Sequence, residues 1–301
     1  MHKEKNFNNS FYNNSYQLYF KLLKPEQYIK NLLIFAPLFF SGGGIFFSID
    51  YIILFLSFSI LTSSVYIFND LADLKEDRLH PLKKLRPIPA GKIKTDIAYY
   101  IASALFLFSI AAIAILNIGT TLLYLIYFCQ NILYSNFFKK ILILDIVIIS
   151  LGFLIRLFIG SIHFNVHISI WLILLTLSIV FFIVLIKRKV DFDNETVANS
   201  KYKSQRKFYK SKFSSYSIRI NQLLILSLYF IYLIFLYLDN SVNYFLIIFS
   251  YVSSVFIIIR YYQSSLKFNF SSPLKVVFYD IFLMIASLIW FLLNIIIYYH
   301  V

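Results

Sequence analysis

Charge is scarce in this chain. Asp, Glu, Lys and Arg make up 14% of its 301 residues, well under the roughly one quarter usual in a soluble domain, so that class is excluded. Cysteine is nearly absent too. Cys129 is the single one and lies inside an apolar run, which excludes a disulfide framework and a cluster of thiolate metal ligands. Missing as well are the short alternating segments that a transmembrane barrel needs. No signal-peptide pattern opens the chain, because no long apolar run begins before Ile29.

What is present is apolar: 60% hydrophobic residues and a mean hydropathy of +0.75, gathered into long runs. They fall at about 31–47, 51–68, 97–116, 120–138, 141–162, 168–187, 221–238, 242–262 and 276–299. Each approaches the length that spans a ~30 Å hydrocarbon core. The chain therefore reads as all-α, a polytopic membrane bundle of about nine transmembrane helices. Residues 1–20, rich in Asn, Tyr and Phe, read as a disordered tail, and 21–301 as one integral membrane domain. Residues 21–30 alternate basic and apolar groups, which suits either an anchor at the headgroup interface or a substrate contact.

Lys and Arg number 28 against 14 acids, a formal net charge of +14. Their positions exclude nucleic acid as the partner. All but Arg156 lie in the N-terminal segment or in the stretches 69–96, 139–140, 187–219 and 260–275, on one side of the expected bundle. The opposite loops, near 41–50, 117–120, 161–168 and 239–243, have none. The positive-inside rule puts the basic loops and the N-terminus in the cytoplasm.

One cytoplasmic stretch stands out. Asn69, Asp70, Asp73 and Asp77 follow directly on the run ending at Phe68. If that helix continues, Asn69, Asp73 and Asp77 step four residues at a time and Asp70 lies seven before Asp77, so their oxygens share one stripe. Acids facing one way repel unless a cation sits among them. Hard oxygen ligands of this kind suit Mg2+, which keeps water and is completed by substrate phosphates. Arg78, Lys83, Lys84, Arg86 and Lys92 follow, placed to hold further phosphate oxygens, and Pro87 and Pro89 close the loop. The pattern is what a magnesium-diphosphate site at a membrane surface requires.

Charges at membrane depth are few, and such groups face a cavity or a partner. Asp145 and Arg156 stand eleven residues apart in one expected span, about 16 Å along a helix. Either both line one polar cavity with phosphate between or near them, or each pairs with another helix. Asp280 lies near the cytoplasmic entry of the last span. His163 and His167 lie near the opposite face and are not proposed as ligands.

The spacing Asn69-Asp70-x-x-Asp73-x-x-x-Asp77 resembles the first signature of the UbiA superfamily of intramembrane prenyltransferases, with all four defining positions present. The second signature of that superfamily, two Asp separated by three residues, is not matched: Asp145 is followed by Ile149. Further stretches are similar to the decaprenyl-phosphate phosphoribosyltransferase branch. They are Lys24-Pro25-x-Gln27-Tyr28-x-Lys30-Asn31 leading to Ala36-Pro37-Leu38, His80-Pro81, Arg86-Pro87-Ile88, Tyr134-Ser135 with Lys139, Gly152-Phe153 with Arg156 and Gly160, Lys187-Arg188, and Pro273 with Asp280. The similarity weakens at 189–219 and 263–275.

The resemblance implies a UbiA-like transferase in a bacterial cytoplasmic membrane, its active site facing the cytoplasm. It would move 5-phosphoribose from phosphoribosyl diphosphate to a polyprenyl phosphate for envelope synthesis. Asn69, Asp70, Asp73 and Asp77 would hold Mg2+. Asp70, Asp73, Asp77, Lys139 and Arg156 carry the expected chemistry. Lys30, Lys139 and Arg156 are candidates for holding the acceptor phosphate or the 5-phosphate, with Asp145 beside them, while Lys83, Lys84 and Arg86 close over the diphosphate. Tyr134 either donates a hydrogen bond to a substrate oxygen or is an interfacial tyrosine. The lipid phosphate is already ionised, so no general base is needed. The alternative is transfer of an isoprenyl group from its diphosphate to an aromatic or other acceptor. A transporter or scaffold would not need the acid stripe. The pattern permits a homo-oligomer.

Overall fold

The computed structural model describes residues 15–41, 48–80, 82–194, 207–240, 243–270 and 272–299. Among them there is no strand. The helices are α1 Ser15–Leu23, α2 Ala36–Phe40, α3 Ile49–Ala72, α4 Leu74–Leu79, α5 Thr95–Ala114, α6 Ile118–Asn136, α7 Leu142–Phe164, α8 Ile170–Asn194, α9 Lys212–Asn240, α10 Tyr244–Phe268, α11 Pro273–Tyr279 and α12 Ile281–Tyr299, with 3-10 stretches at Pro25–Phe35, Lys83–Leu85 and Phe138–Lys140. Seven helices, α3, α5, α7, α8, α9, α10 and α12, are long and apolar enough to cross a membrane.

The described residues fall into two compact units. One comprises those within Met1–Ala36, Ile45–Phe138 and Ile155–Val166, the other those within Pro37–Gly44, Lys139–Leu154 and His167–Val301. In the first, α3 is the organising helix. Leu54, Phe58, Leu61 and Val65 recur at helical spacing and pack with Tyr124 and Tyr127 of α6 and Ile159 of α7. Its remaining surface is rich in small hydroxyl residues, which let neighbouring backbones come close and supply interhelical hydrogen bonds. Ser64 donates to the Ala102 carbonyl of α5 at 2.7 Å, and Ser57 meets the Tyr124 hydroxyl at 3.0 Å.

The second unit packs Val184, Leu185 and Ile186 of α8 with Ile218 and Ile225 of α9, Ile258 of α10, Val276 of α11 and Leu283 of α12. Deeper in its spans Tyr229, Ser250, Trp290 and Asn294 satisfy one another: Tyr229 and Ser250 hydroxyls lie 2.6 Å apart, and Trp290 Nε1 donates to Tyr229 at 3.0 Å.

Four expectations about the elements change. Residues 31–47 do not start as a regular span: Pro25 opens a 3-10 stretch and Pro37, lacking an N–H, sits where a continuous ladder would need a donor, while 42–47 lie outside the described residues. Ser15–Phe20, expected as tail, are helical in α1, and 1–14 lie outside the described residues. Helices α8 and α9 run past the expected span ends and shorten the loop between them. The last run is interrupted at Asp280, whose backbone is extended (φ −106, ψ 98). Helix α6, in contrast, has the length expected of it but is not among the seven, because Gln130 and Asn131 add to Thr120, Thr121, Tyr124 and Tyr127 within it. These four are buried, and at spacings of one, four and seven residues they share one face.

Candidate active site

The acid stripe lies at a corner. Helix α3 ends at Ala72, Asp73 leaves helical geometry (φ −88, ψ 1), and α4 restarts at Leu74. The four-residue step nevertheless survives, because the Asp73 N–H donates to the Asn69 carbonyl at 2.9 Å and the Asp77 N–H to the Asp73 carbonyl at 2.8 Å. The corner thus keeps Asn69, Asp73 and Asp77 in succession while turning the chain off the helix axis.

Basic groups fill the corner. Arg86 Nη1 donates to Asp70 Oδ1 at 2.9 Å and to Asp77 Oδ2 at 2.8 Å, joining two carboxylates that are each 2% exposed. Lys24 Nζ reaches the same Asp70 oxygen at 2.7 Å, and Lys83 Nζ lies 3.8 Å from Asp77 Oδ1. Burial pushes the Asp77 carboxyl up, against the pull of Arg86 and Lys83 and with repulsion from Asp73 and Asp70 added. Burial likewise pulls Lys24 down, opposed by Asp70. Ser135 donates to Asn69 Oδ1.

Local sequence explains why Arg86 arrives there. Ile88 and Ile93 are buried with Leu22, Ile67, Ala98 and Ala102, so the loop is pinned on its apolar side. Arg86 and Pro87 carbonyls accept from Ala90 at 2.9 Å and Lys92 at 3.0 Å, and Gly91 closes the turn at φ 72, a conformation that Gly adopts without the Cβ penalty. Lys24 has the left-handed backbone φ 54, ψ 55 immediately before Pro25, a position that disfavours helical geometry, so its placement is strained.

Would these residues suit Mg2+? Among the described residues no three His, Cys, Asp or Glu groups form a metal cage. Mg2+ does not need one, since one or two carboxylates with water and phosphate are its usual set. One further observation fits: Asp70 Oδ2 is buried and accepts no hydrogen bond among the described residues, while Oδ1 accepts two. An unpartnered carboxylate oxygen at this corner is an available hard ligand.

Arg156, 4% exposed, belongs to the same unit. Nη2 donates to the Tyr127 hydroxyl at 2.9 Å and Nε to Asn31 Oδ1 at 3.4 Å, with the guanidinium 4.9 Å from the Tyr127 ring and 5.4 Å from that of Phe58. Asn31 is held in turn by Ser59 at 3.1 Å and Thr62 at 3.2 Å, both on α3. Asp145 takes a different partner: both its oxygens accept from Arg188, at 2.7 and 2.6 Å. Each of the two thus has a partner on another helix. Lys30 is half-buried beside Asn31, Tyr134 precedes Ser135, Lys84 is exposed on the turn before Arg86, and Lys139 is half-buried in the turn after α6.

Sequence reasoning missed Lys24 and Ser135 as groups of the acid corner. Each has a signal: a Lys directly before Pro, and a hydroxyl in the Tyr134-Ser135 pair.

The fold is that of solved UbiA homologues. A solved structure of a UbiA homologue from Archaeoglobus fulgidus bound to GPP and Mg2+ superimposes with a TM-score of 0.68 at 18% identity, covering 94% of this chain and 100% of that one. Residues 32–283 match the UbiA prenyltransferase family, and the chain belongs to it as a multi-pass membrane protein. It is similar to the decaprenyl-phosphate phosphoribosyltransferase of Mycolicibacterium smegmatis, 35% identical over 162 residues, covering 51% of this chain and 50% of the relative. That of Mycobacterium tuberculosis is 32% identical over 163 residues, covering 52% and 53%. The chain spans about half the length of the curated relatives it matches.

Proposed function

We propose that the chain transfers 5-phosphoribose from phosphoribosyl diphosphate to a polyprenyl phosphate, releasing diphosphate, at the cytoplasmic face of a bacterial cytoplasmic membrane. The lipid-linked product would feed envelope polysaccharide synthesis. The observation that carries this reading is the corner where Asp70 and Asp77 are met by Lys24, Lys83 and Arg86. Three cations meet the two buried acids, and a buried Arg156 stands in the same unit, so the first unit is equipped for phosphates. The names of the relatives support the choice of phosphates.

The chemistry asks little of proton transfer. The bond from ribose C1 to diphosphate breaks with its electron pair leaving on oxygen, and a lipid phosphate oxygen forms the new bond to C1. Asn69, Asp70, Asp73 and Asp77 would hold Mg2+, which when bound would supply positive charge where the leaving group gains negative charge. Arg86 and Lys83 donate to diphosphate oxygens, and charge-assisted bonds of this kind gain strength as that charge grows. Lys30, Lys84, Lys139 and Arg156 offset the repulsion between two anionic substrates. Tyr134 orients a phosphate oxygen.

The test is to incubate the purified protein with polyprenyl phosphate and radiolabelled phosphoribosyl diphosphate, with Mg2+ or with EDTA. Label should enter the lipid phase only with the metal. A preparation that leaves the lipid unlabelled while consuming an isoprenyl diphosphate is a prenyltransferase instead.

A further inference from the structure

Arg156 is a cation at membrane depth that is gripped by two neutral oxygens. Nε donates to Asn31 Oδ1 at 3.4 Å and Nη2 to the Tyr127 hydroxyl at 2.9 Å, while the guanidinium lies 4.9 Å from the Tyr127 ring and 5.4 Å from that of Phe58. Asn31 comes from the 3-10 stretch Pro25–Phe35, Phe58 from α3 and Tyr127 from α6. All of them belong to the first unit, with the acid corner.

Two other arginines show what is unusual here. Arg188 and Arg260 each give the same two nitrogens, Nε and Nη2, to a carboxylate, Asp145 for one and Asp280 for the other. A pair of that kind fixes the guanidinium plane and cancels its charge together. At Arg156 the plane is fixed by an amide and a phenol, so the groups that orient the cation leave its charge in place.

The Asn31 amide can face only one way. Thr62 commits its hydroxyl hydrogen to the Ser59 carbonyl at 2.9 Å, so towards Asn31 it can only accept. Asn31 Nδ2 must therefore point at Thr62, at 3.2 Å, with Ser59 Oγ at 3.1 Å, and Oδ1 is left to the guanidinium. The backbone form matters too. Tyr28, whose hydroxyl lies 2.7 Å from Ser63 of α3, and Asn31 are three residues apart, one full turn of a 3-10 helix, so both face α3. α-helical winding would turn Asn31 about 60° off that line.

We propose that Asn31 and Tyr127 are positioning residues that aim the Arg156 guanidinium, its charge uncancelled by them, at a substrate phosphate monoester. This rests on the reading that both substrates are phosphates, and it separates the monoester from the diphosphate. Asn31 meets α3 at Thr62, eight residues before Asp70 and about 12 Å along the helix, which is longer than one diphosphate group. The monoester is either the polyprenyl phosphate headgroup or the 5-phosphate of phosphoribosyl diphosphate.

Isothermal titration of the full chain in detergent with Mg2+, one ligand at a time so that no transfer occurs, tests this. The ligands are polyprenyl phosphate, phosphoribosyl diphosphate and, as the control without a monoester, inorganic diphosphate. Asn31→Asp gives Arg156 the kind of partner that Arg188 and Arg260 have. Tyr127→Phe keeps the ring and removes only the acceptor of Nη2, so it stands as the test if the buried carboxylate of the first variant prevents folding. In variants that melt cooperatively, Asn31→Asp should raise Kd for one monoester ligand about ten- to a hundredfold and Tyr127→Phe about three- to tenfold, with Kd for diphosphate unchanged. A rise for the lipid alone assigns the headgroup, and a rise for phosphoribosyl diphosphate alone assigns the 5-phosphate. Unchanged Kd for both monoester ligands makes Asn31 and Tyr127 packing groups and overturns the proposal. An equal rise for all three ligands overturns it as well, because it reports a disturbed acid corner. Wild-type protein that binds neither polyprenyl phosphate nor phosphoribosyl diphosphate overturns the functional reading before any variant is compared.

Discussion

Arg86 holds two carboxylates with one nitrogen. Its Nη1 lies 2.9 Å from Asp70 and 2.8 Å from Asp77, and the side chain is 35% exposed. Without it the acids would face each other with Lys24 and Lys83 alone, so Arg86→Ala should destabilise the metal-free protein. A fully buried pair broken on one side loses about 3–5 kcal/mol. Partial exposure and the remaining lysines reduce that here to about 1–3 kcal/mol. Mg2+ should recover more stability in Arg86→Ala than in the wild type, because it replaces the missing positive charge. Melting temperatures with and without Mg2+ check this, and an equal metal response in both proteins would mean that these carboxylates do not hold it. The acids themselves were legible, since their spacing is a pattern of residues near in sequence. That Arg86 bridges them was not, because it depends on the anchoring of Ile88 and Ile93 in the core, a contact between distant stretches.

Helices were legible as apolar runs, but their interruptions were not. Asp280 shows why. It splits the expected last span because its carboxylate accepts from the backbone N–H of Phe282 at 3.2 Å and Leu283 at 3.3 Å, capping α12, and from Arg260 Nε at 2.6 Å. The cap residues adjoin it in sequence, whereas the partner that fixes it comes from α10. Burial raises the Asp280 carboxyl, but bonds from Arg260, Ser264 and the Leu283 N–H win and bring it down to about 2. A carboxyl lowered in the folded state stabilises fully above its unfolded value, near 3.9, and that contribution fades as pH falls toward 2. Asp280→Asn keeps the cap acceptor without titrating. Its melting temperature should start lower at pH 6 and fall less between pH 5 and pH 3 than that of the wild type. Parallel curves for the two proteins would show that the Arg260 pair contributes nothing to stability.

Across the whole chain, charge is distributed with a regular alternation that the helices respect. Segments 73–94, 137–141 and 269–280 contain Lys or Arg, whereas 115–117, 165–169 and 243 contain none. Helix α6 lies between a segment without cations and one with Lys139 and Lys140, so the positive-inside rule requires it to cross. Its buried polar face explains how it does so despite its composition: Tyr124 donates to the Leu54 carbonyl of α3 at 3.1 Å, so this polar group is met by protein and not by lipid. At 19 residues, it would extend about 28 Å, enough for the core. Eight crossings follow from α3, α5, α6, α7, α8, α9, α10 and α12, and the segment from Pro25 onward decides whether there is a ninth. Helix α12 leads from the basic segment 269–280 to the other face in either case, so the count decides the side of the N-terminus: beside the basic loops with nine, opposite them with eight. An epitope tag fused ahead of Met1 should therefore be labelled by antibody only after the membrane is permeabilised. Labelling in intact spheroplasts would mean that the segment from Pro25 onward does not cross.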